Sequence, residues 1–267
     1  MFSTRKNPWR RTRRGGASAA GIGAAAFTLT VGLASLIWWY ASAAQDRSLE
    51  NLCPASGLVG RHLTVLVDQS DPLGGGQVQA LQTTLARSIA AMRAADRITI
   101  YRLRAEEDRP VERLVDLCRP KRGTEADPTI ENPRLLEQAY LRHFVQPLQR
   151  VLDELHVQGT PLRSSPLIEA LHAVANGPEM SATAQEKQLV LASDLMHRSR
   201  LADAYTSRLA TCLPGDAAQR QLPIEGVAVT IYLLRVPRLA ARQADAAAFF
   251  GELLATATGS PLVLRTL

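Results

Sequence analysis

The sequence predicts an α/β fold: a doubly wound, mostly parallel sheet with one antiparallel edge strand, preceded by one transmembrane helix. Three observations predict it. Past residue 60, short β-branched runs alternate with segments of helical apolar period, the pattern of a parallel sheet covered on both faces. Only a charged, proline-containing turn separates the second and third runs, so those two strands form a hairpin. Ahead of them lie thirty-one residues without a charge, Gly15 to Gln45.

The apolar heart of that stretch, Gly21 to Tyr40, is twenty residues long. As a helix it reaches about 30 Å, the thickness of a bilayer's hydrocarbon core. Trp38, Trp39 and Tyr40 close it with rings suited to the membrane interface. Arg5, Lys6, Arg10, Arg11, Arg13 and Arg14 precede it and only Arg47, beside Asp46, follows close behind, a bias that puts the N-terminus in the cytoplasm. The expected organisation is a basic cytoplasmic tail (1–20), a transmembrane helix (21–40), a linker (41–60) holding Pro54 and Gly57, and an exported domain (61–267), periplasmic or extracellular. A signal peptide cleaved after Ala41-Ser42-Ala43 would export the same domain. The run exceeds the usual signal core of about 7–15 residues, which favours an anchor.

The charge follows this division. The chain has 31 Lys and Arg against 25 Asp and Glu, a net +6. The six-cation tail accounts for all of that surplus, so the exported part is neutral and no nucleic-acid partner is expected. The tail suits anionic lipid headgroups instead. Cys53, Cys118 and Cys212 all fall on the exported side, where disulfides persist, and no CxxC zinc or redox motif is present. Cys53 precedes the first strand and Cys118 ends the antiparallel strand that returns to the same end of the sheet. Cys212 ends a helix that also runs back there, so two of the three are placed to meet. A Cys53–Cys118 bridge would staple the linker to the sheet edge, Cys212 is a rival partner, and the sequence leaves the pairing open.

The elements follow in order. His62–Val67 (HLTVLV) is a buried strand. Val78, Leu81, Leu85, Ile89 and Met92 mark a helix over Gln77–Met92. Ile98–Leu103 and Val111–Leu117 form the hairpin. A long helix runs from Pro133, favoured at a first position, to His156, with a kink expected at Pro147. Ser165 is expected to cap a helix carrying Leu167, Leu171 and Val174. Gln188–Ala192 is a strand ending in Ser193-Asp194. A helix over 201–211, a strand over Val227–Leu234, a helix over Ala240–Thr258 and a last strand at Leu262–Leu264 complete the chain.

In such a sheet ligands sit beyond the carboxyl ends of the strands, near the point where strand order reverses. Three polar clusters fall there: Asp68, Ser70 and Asp71; Thr160, Ser164 and Ser165; and Ser193 with Asp194. They are hard oxygen donors, which suit Mg²⁺ or another divalent cation, and His197 is the nearest imidazole. Taken singly, each cluster is more often a turn or a cap, and it is the three together at the ends of the right strands that favour a site. Gly74-Gly75-Gly76 lacks the Gly-Lys-Ser/Thr of a P-loop, and Ser70 is not in a Gly-x-Ser-x-Gly elbow. His143 and His172 read as ordinary helix residues.

LTVLVDQSD, SSPLIEAL and LVLASD together resemble the von Willebrand factor A (VWA) domain and its metal-ion-dependent adhesion site, over roughly residues 60–267. The resemblance implies a Rossmann-like sheet and a cation held by Asp68, Ser70, Ser165 and Asp194. Ser165 stands at the family's Thr. Pro72 stands at the motif's second Ser and has no side-chain oxygen, so binding is expected to be weak unless Asp71 supplies one. The function implied is binding rather than catalysis: a membrane-anchored envelope protein that engages a protein partner's carboxylate through the cation. Two other readings remain, a metal-dependent phosphoesterase built on Asp68 and Asp194, and a structural envelope subunit with a dead site. Against the first, phosphoryl-accepting families that resemble Asp-x-Asp would need an acid at Ser70.

Overall fold

The computed structural model describes residues 30–38, 52–54, 56–72, 74–155, 162–177, 180, 184–212 and 221–267. The chain divides into two units, Met1–Asp46 and Arg47–Leu267. In the first, residues 30–38 are helical. The rest of the predicted span 21–40 lies outside the described residues, as do the basic tail and most of the linker. Among the described residues no helix is long and apolar enough to cross a membrane.

In the second unit the HLTVLV run is the carboxyl-terminal two-thirds of β1 (Val59–Val67), which is buried along most of its length. It lies between β2 (Arg97–Leu103) and β4 (Ala184–Ser193), parallel to both. β3 (Val111–Cys118) pairs antiparallel with β2 at the edge, as the short turn requires. β5 (Ala228–Leu233) and β6 (Val263–Thr266) extend the other side in parallel. The order is β3-β2-β1-β4-β5-β6, so the winding reverses between β1 and β4.

Both faces are covered. Leu63, Val65 and Val67 of β1 pack with Leu81 and Leu85 of α1 (Gly75–Ala90) and with Phe144 and Leu148. Leu66 faces the other way, into a core with Leu167 and Leu171 of α4 (Leu167–Ala175) and Phe250 of α6 (Ala240–Thr258). The last helix stops at Gly259, whose φ of 67° is the left-handed conformation that ends helices and that glycine adopts without strain.

The predicted kink takes a specific form. The long helix is α2 (Pro133–Tyr140), a π turn (Leu141–Val145) and α3 (Gln146–Glu154). Pro147 offers no N–H and crowds the carbonyl four residues back; the widened turn just upstream accommodates both. The amino end of α2 rests on the 3₁₀ turn Gly123–Glu125. A Cβ at Gly123 would stand 2.4 Å from the Pro133 carbonyl oxygen. Gly123→Ala is expected to force α2 outward and cost about 1–3 kcal/mol in a urea melt.

Two expectations are corrected. The helix over 201–211 shrinks to α5 (Leu209–Cys212). Asp203 accounts for the loss: its carboxylate accepts the Tyr205 N–H at 2.8 Å and it pairs with Arg198 in an isolated bridge. Such local bonds hold the backbone in turns instead of a helical ladder. Ser165 does not cap α4. Pro166 occupies that position and no side-chain cap bond forms.

Cys53 and Cys118 are bridged, with a Cα–Cα distance of 4.8 Å. Val59 and Ala184 pack around the bridge, which ties the chain entering β1 to the end of β3.

Candidate functional site

β1 and β4 run side by side with Val67 opposite Ala192, so Asp68 and Ser193-Asp194 leave the sheet as neighbours. The Asp68 N–H still donates to the Ala192 carbonyl at 2.8 Å. Asp68, Ser70, Ser165 and Asp194 are each at most 4% exposed. Around Asp68 the polar clusters of three loops close together. Its Oδ2 accepts from Ser193 Oγ at 2.7 Å and from Ser165 Oγ at 3.4 Å. Its Oδ1 accepts from the Ser70 N–H at 2.9 Å.

Backbone bonds hold these loops in place. Ser165 and Arg198 exchange N–H to carbonyl bonds at 2.8 and 2.9 Å, and Leu162 N–H donates to the Ser70 carbonyl at 2.9 Å. Ser164 turns away from Asp68 and donates to the Arg198 carbonyl at 2.7 Å. Thr160 lies outside the described residues. After β4 the chain winds tightly: Leu195 has φ of 62°, its N–H donates to Ser193 Oγ, and the Met196 N–H donates to Asp194 Oδ1. A non-glycine residue in that conformation carries strain that its surroundings must impose.

Asp194 Oδ2 and Ser70 Oγ are buried and make no well-formed hydrogen bond. Burial raises the Asp68 carboxyl above the usual range, against the opposing bonds from Ser193, Ser70 and Ser165. Burial, then the charge of Asp68, then Asp71, push Asp194 up to about 8. Two adjacent buried carboxylates repel each other, so the pair needs a shared proton or a cation. The donors present are two carboxylates and hydroxyls. Among the described residues no group of three or more His, Cys, Asp or Glu is arranged to hold a metal.

Asp71 forms the outer layer. Its Oδ2 accepts from the Tyr205 hydroxyl at 3.0 Å and its Oδ1 lies 3.6 Å from Arg238 Nη2. The Arg198 guanidinium covers the Tyr205 ring at 4.0 Å. Burial and the nearby carboxylates raise the Tyr205 phenol, which stays protonated and donates.

Sequence reasoning missed Gln243. Its amide donates to the carbonyls of Asp194 (3.0 Å) and Leu234 (2.7 Å), and its Oε1 accepts from the Val236 N–H at 3.2 Å. One buried side chain thus clips the loops after β4 and β5 to α6. The signal was available: Gln243 falls on the stripe Ala246, Phe250, Leu253, where helical periodicity calls for an apolar residue. Tyr205 and Arg238 carry no comparable sequence signal.

His197 does not touch the carboxylate pair. It is fully buried, with Nδ1 accepting a long bond from the Ile168 N–H (3.5 Å) and Nε2 3.1 Å from Ser199 Oγ. These partners favour the tautomer protonated at Nε2. Burial lowers its pKa from 6.5 to about 4, outweighing the charges of Glu107 and Asp203. The ring is neutral, so the 4.0 Å approach of Glu169 is not an ion pair. In the unfolded chain the imidazole binds a proton below pH 6.5, and in the folded chain only near pH 4. Its contribution is therefore full above pH 6.5 and lost as pH falls toward 4, by about 3 kcal/mol in all. His197→Gln is expected to flatten the wild-type fall in urea stability between pH 7 and 4.5.

No family model matches the chain and no curated protein matches it. Among solved structures, the three N-terminal domains of the type V pili tip protein Mfa5 from Porphyromonas gingivalis align at TM-score 0.32 and 17% identity, over 52% of this chain and 20% of that one. The human COPII-coat protein Sec24c aligns at TM-score 0.36 and 10% identity, over 78% of this chain and 29% of that one. The chain spans less than a third of either, and these alignments carry no argument about function.

Proposed function

We propose that this chain is a membrane-anchored cell-envelope binding protein whose VWA-like domain engages a partner's carboxylate through a divalent cation. One observation carries the reading. Two carboxylates converge at the sheet's switch point, and two buried oxygens beside them, Ser70 Oγ and Asp194 Oδ2, lack good hydrogen bonds. Hard, unsatisfied oxygens of this kind fit Mg²⁺ or a similar ion. Asp68, Ser70, Ser165 and Asp194 would hold it, and the ion would neutralise the pair and offer a position to an anionic oxygen. Ser193 and the Ser70 amide hold Asp68 in orientation, and Gln243 does so for the backbone of Asp194. Asp71, drawn outward to Tyr205 and Arg238, is the candidate for the oxygen that Pro72 cannot give.

The burial of Asp68 and its accepted bonds favour a ligand over a nucleophile that must meet substrate. The uncharged stretch through Tyr40 supports an anchor in the cytoplasmic membrane with the domain outside, and the Cys53–Cys118 bridge suits an oxidising compartment. A pull-down from detergent-solubilised membranes should capture a protein partner in Mg²⁺ and release it in chelator. Capture that ignores chelator rejects the cation-bridged mechanism. A C-terminal alkaline phosphatase fusion should be active and stay in the membrane pellet after carbonate extraction. Recovery as a soluble chain rejects the anchor.

A further inference from the structure

We propose that the rim around Asp71 is a docking surface for an acidic protein segment, acting through arginines and independently of any cation. The exported part of the chain is neutral, yet the loops at the carboxyl end of β1, β4 and β5 carry a local surplus of arginine. Arg163 precedes α4, next to Leu162, whose N–H binds the Ser70 carbonyl. Arg198 covers Tyr205. Arg235 follows β5 and its carbonyl accepts from Gln77 Nε2 at 3.0 Å. Arg238 approaches Asp71, and Arg242 in the first turn of α6 donates to the Thr206 carbonyl at 3.4 Å. Arg200 and Arg208, nearby, are paired with Glu107 and Asp245. By contrast Arg163, Arg235 and Arg242 have no carboxylate partner among the described residues, and the first two are exposed.

The chemistry this rim recognises is visible in what it already holds. Asp71 is read by a phenol hydroxyl on one oxygen and a guanidinium on the other. A partner's carboxylate can take the same two donors, with Asp71 displaced, and further acids along its chain meet Arg163, Arg235 and Arg242. The guanidiniums sit on several separate segments instead of converging on one point, which fits several charges in sequence better than a single phosphate. Tyr and Arg are also the residues that most often anchor protein interfaces.

The test uses the full-length chain in zwitterionic detergent with chelator present, and a fluorescein-labelled Glu-rich decapeptide beside its Gln counterpart. The chain is expected to bind the Glu peptide and not the Gln peptide, with affinity falling steeply as salt rises. Arg163→Glu with Arg235→Glu should weaken binding at least tenfold with an unchanged thermal melt, because neither side chain makes a described ion pair. Asp71→Asn, which removes the charge that pairs with Arg238 while keeping an acceptor for Tyr205, should tighten it several-fold. Wild-type affinity in the double variant, or no binding of the Glu peptide by the wild type, overturns the proposal. So does equal binding of polyphosphate or of phosphatidylglycerol in mixed micelles of the same detergent, which would make the face a general polyanion surface. Since chelator is present throughout, a dead cation site leaves these outcomes unchanged.

Discussion

Replacing Cys53 and Cys118 together by alanine is expected to lower the unfolding free energy by about 4 kcal/mol, the loop-closure value for a bridge between residues 65 apart. The placement adds to the argument. Cys118 is fully buried at the end of the edge strand, and Cys53 precedes the central one. Without the bridge, the chain entering β1 loses its tie to β3, and the start of β1 around Val59 loses packing. Urea melts of the double variant, and of the wild type with and without reductant, measure the effect. A loss below 1 kcal/mol would mean that packing alone holds the entry to β1.

Asp68→Asn is expected to abolish cation binding and reduce cation-dependent partner capture at least a hundredfold. Asp68 links the three loops of the site, accepting from Ser70, Ser165 and Ser193. Asparagine keeps the shape and one acceptor oxygen but supplies no charge to an ion. Its stability cost is small, about 1–2 kcal/mol, because the weaker bonds are offset by removal of a buried charge beside Asp194. Asp68→Ala is the harsher control, since it leaves the Ser193 hydroxyl and Ser70 N–H without their acceptor. Loss of capture in Asp68→Asn, with the melt lowered by no more than that small cost, separates function from folding. Full capture in that variant would remove Asp68 from the site.

Much of the fold could be read from particular residues. The HLTVLV run is largely apolar and β-branched, as a central strand buried on both faces requires, and it is the carboxyl-terminal part of β1. The turn between Leu103 and Val111 is too short for a parallel crossover, which set the edge strand. The helix expected over Ala240–Thr258 has those bounds in the structure, where the left-handed Gly259 ends it locally. The errors arise where side chains bond to backbone far away or out of pattern. Asp203 replaces a helix by turns through its own carboxylate. Ser165 reads as a cap, yet its backbone pairs with Arg198 and its hydroxyl turns to Asp68, residues distant in sequence. The convergence of Asp68 with Ser165 and Ser193 followed from strand order. The outer layer did not, because Tyr205 and Arg238 meet Asp71 only through tertiary folding.

The central claim is that the carboxylate pair at the switch point holds a hard cation. Calorimetric titration of Mg²⁺, with Mn²⁺ and Ca²⁺ alongside, into the full-length chain in detergent tests it most directly. The account predicts one ion per chain, weak because Pro72 withholds a ligand, with the heat absent in Asp68→Asn. No binding of any of the three ions at millimolar concentration would contradict it, as would binding that Asp68→Asn leaves intact.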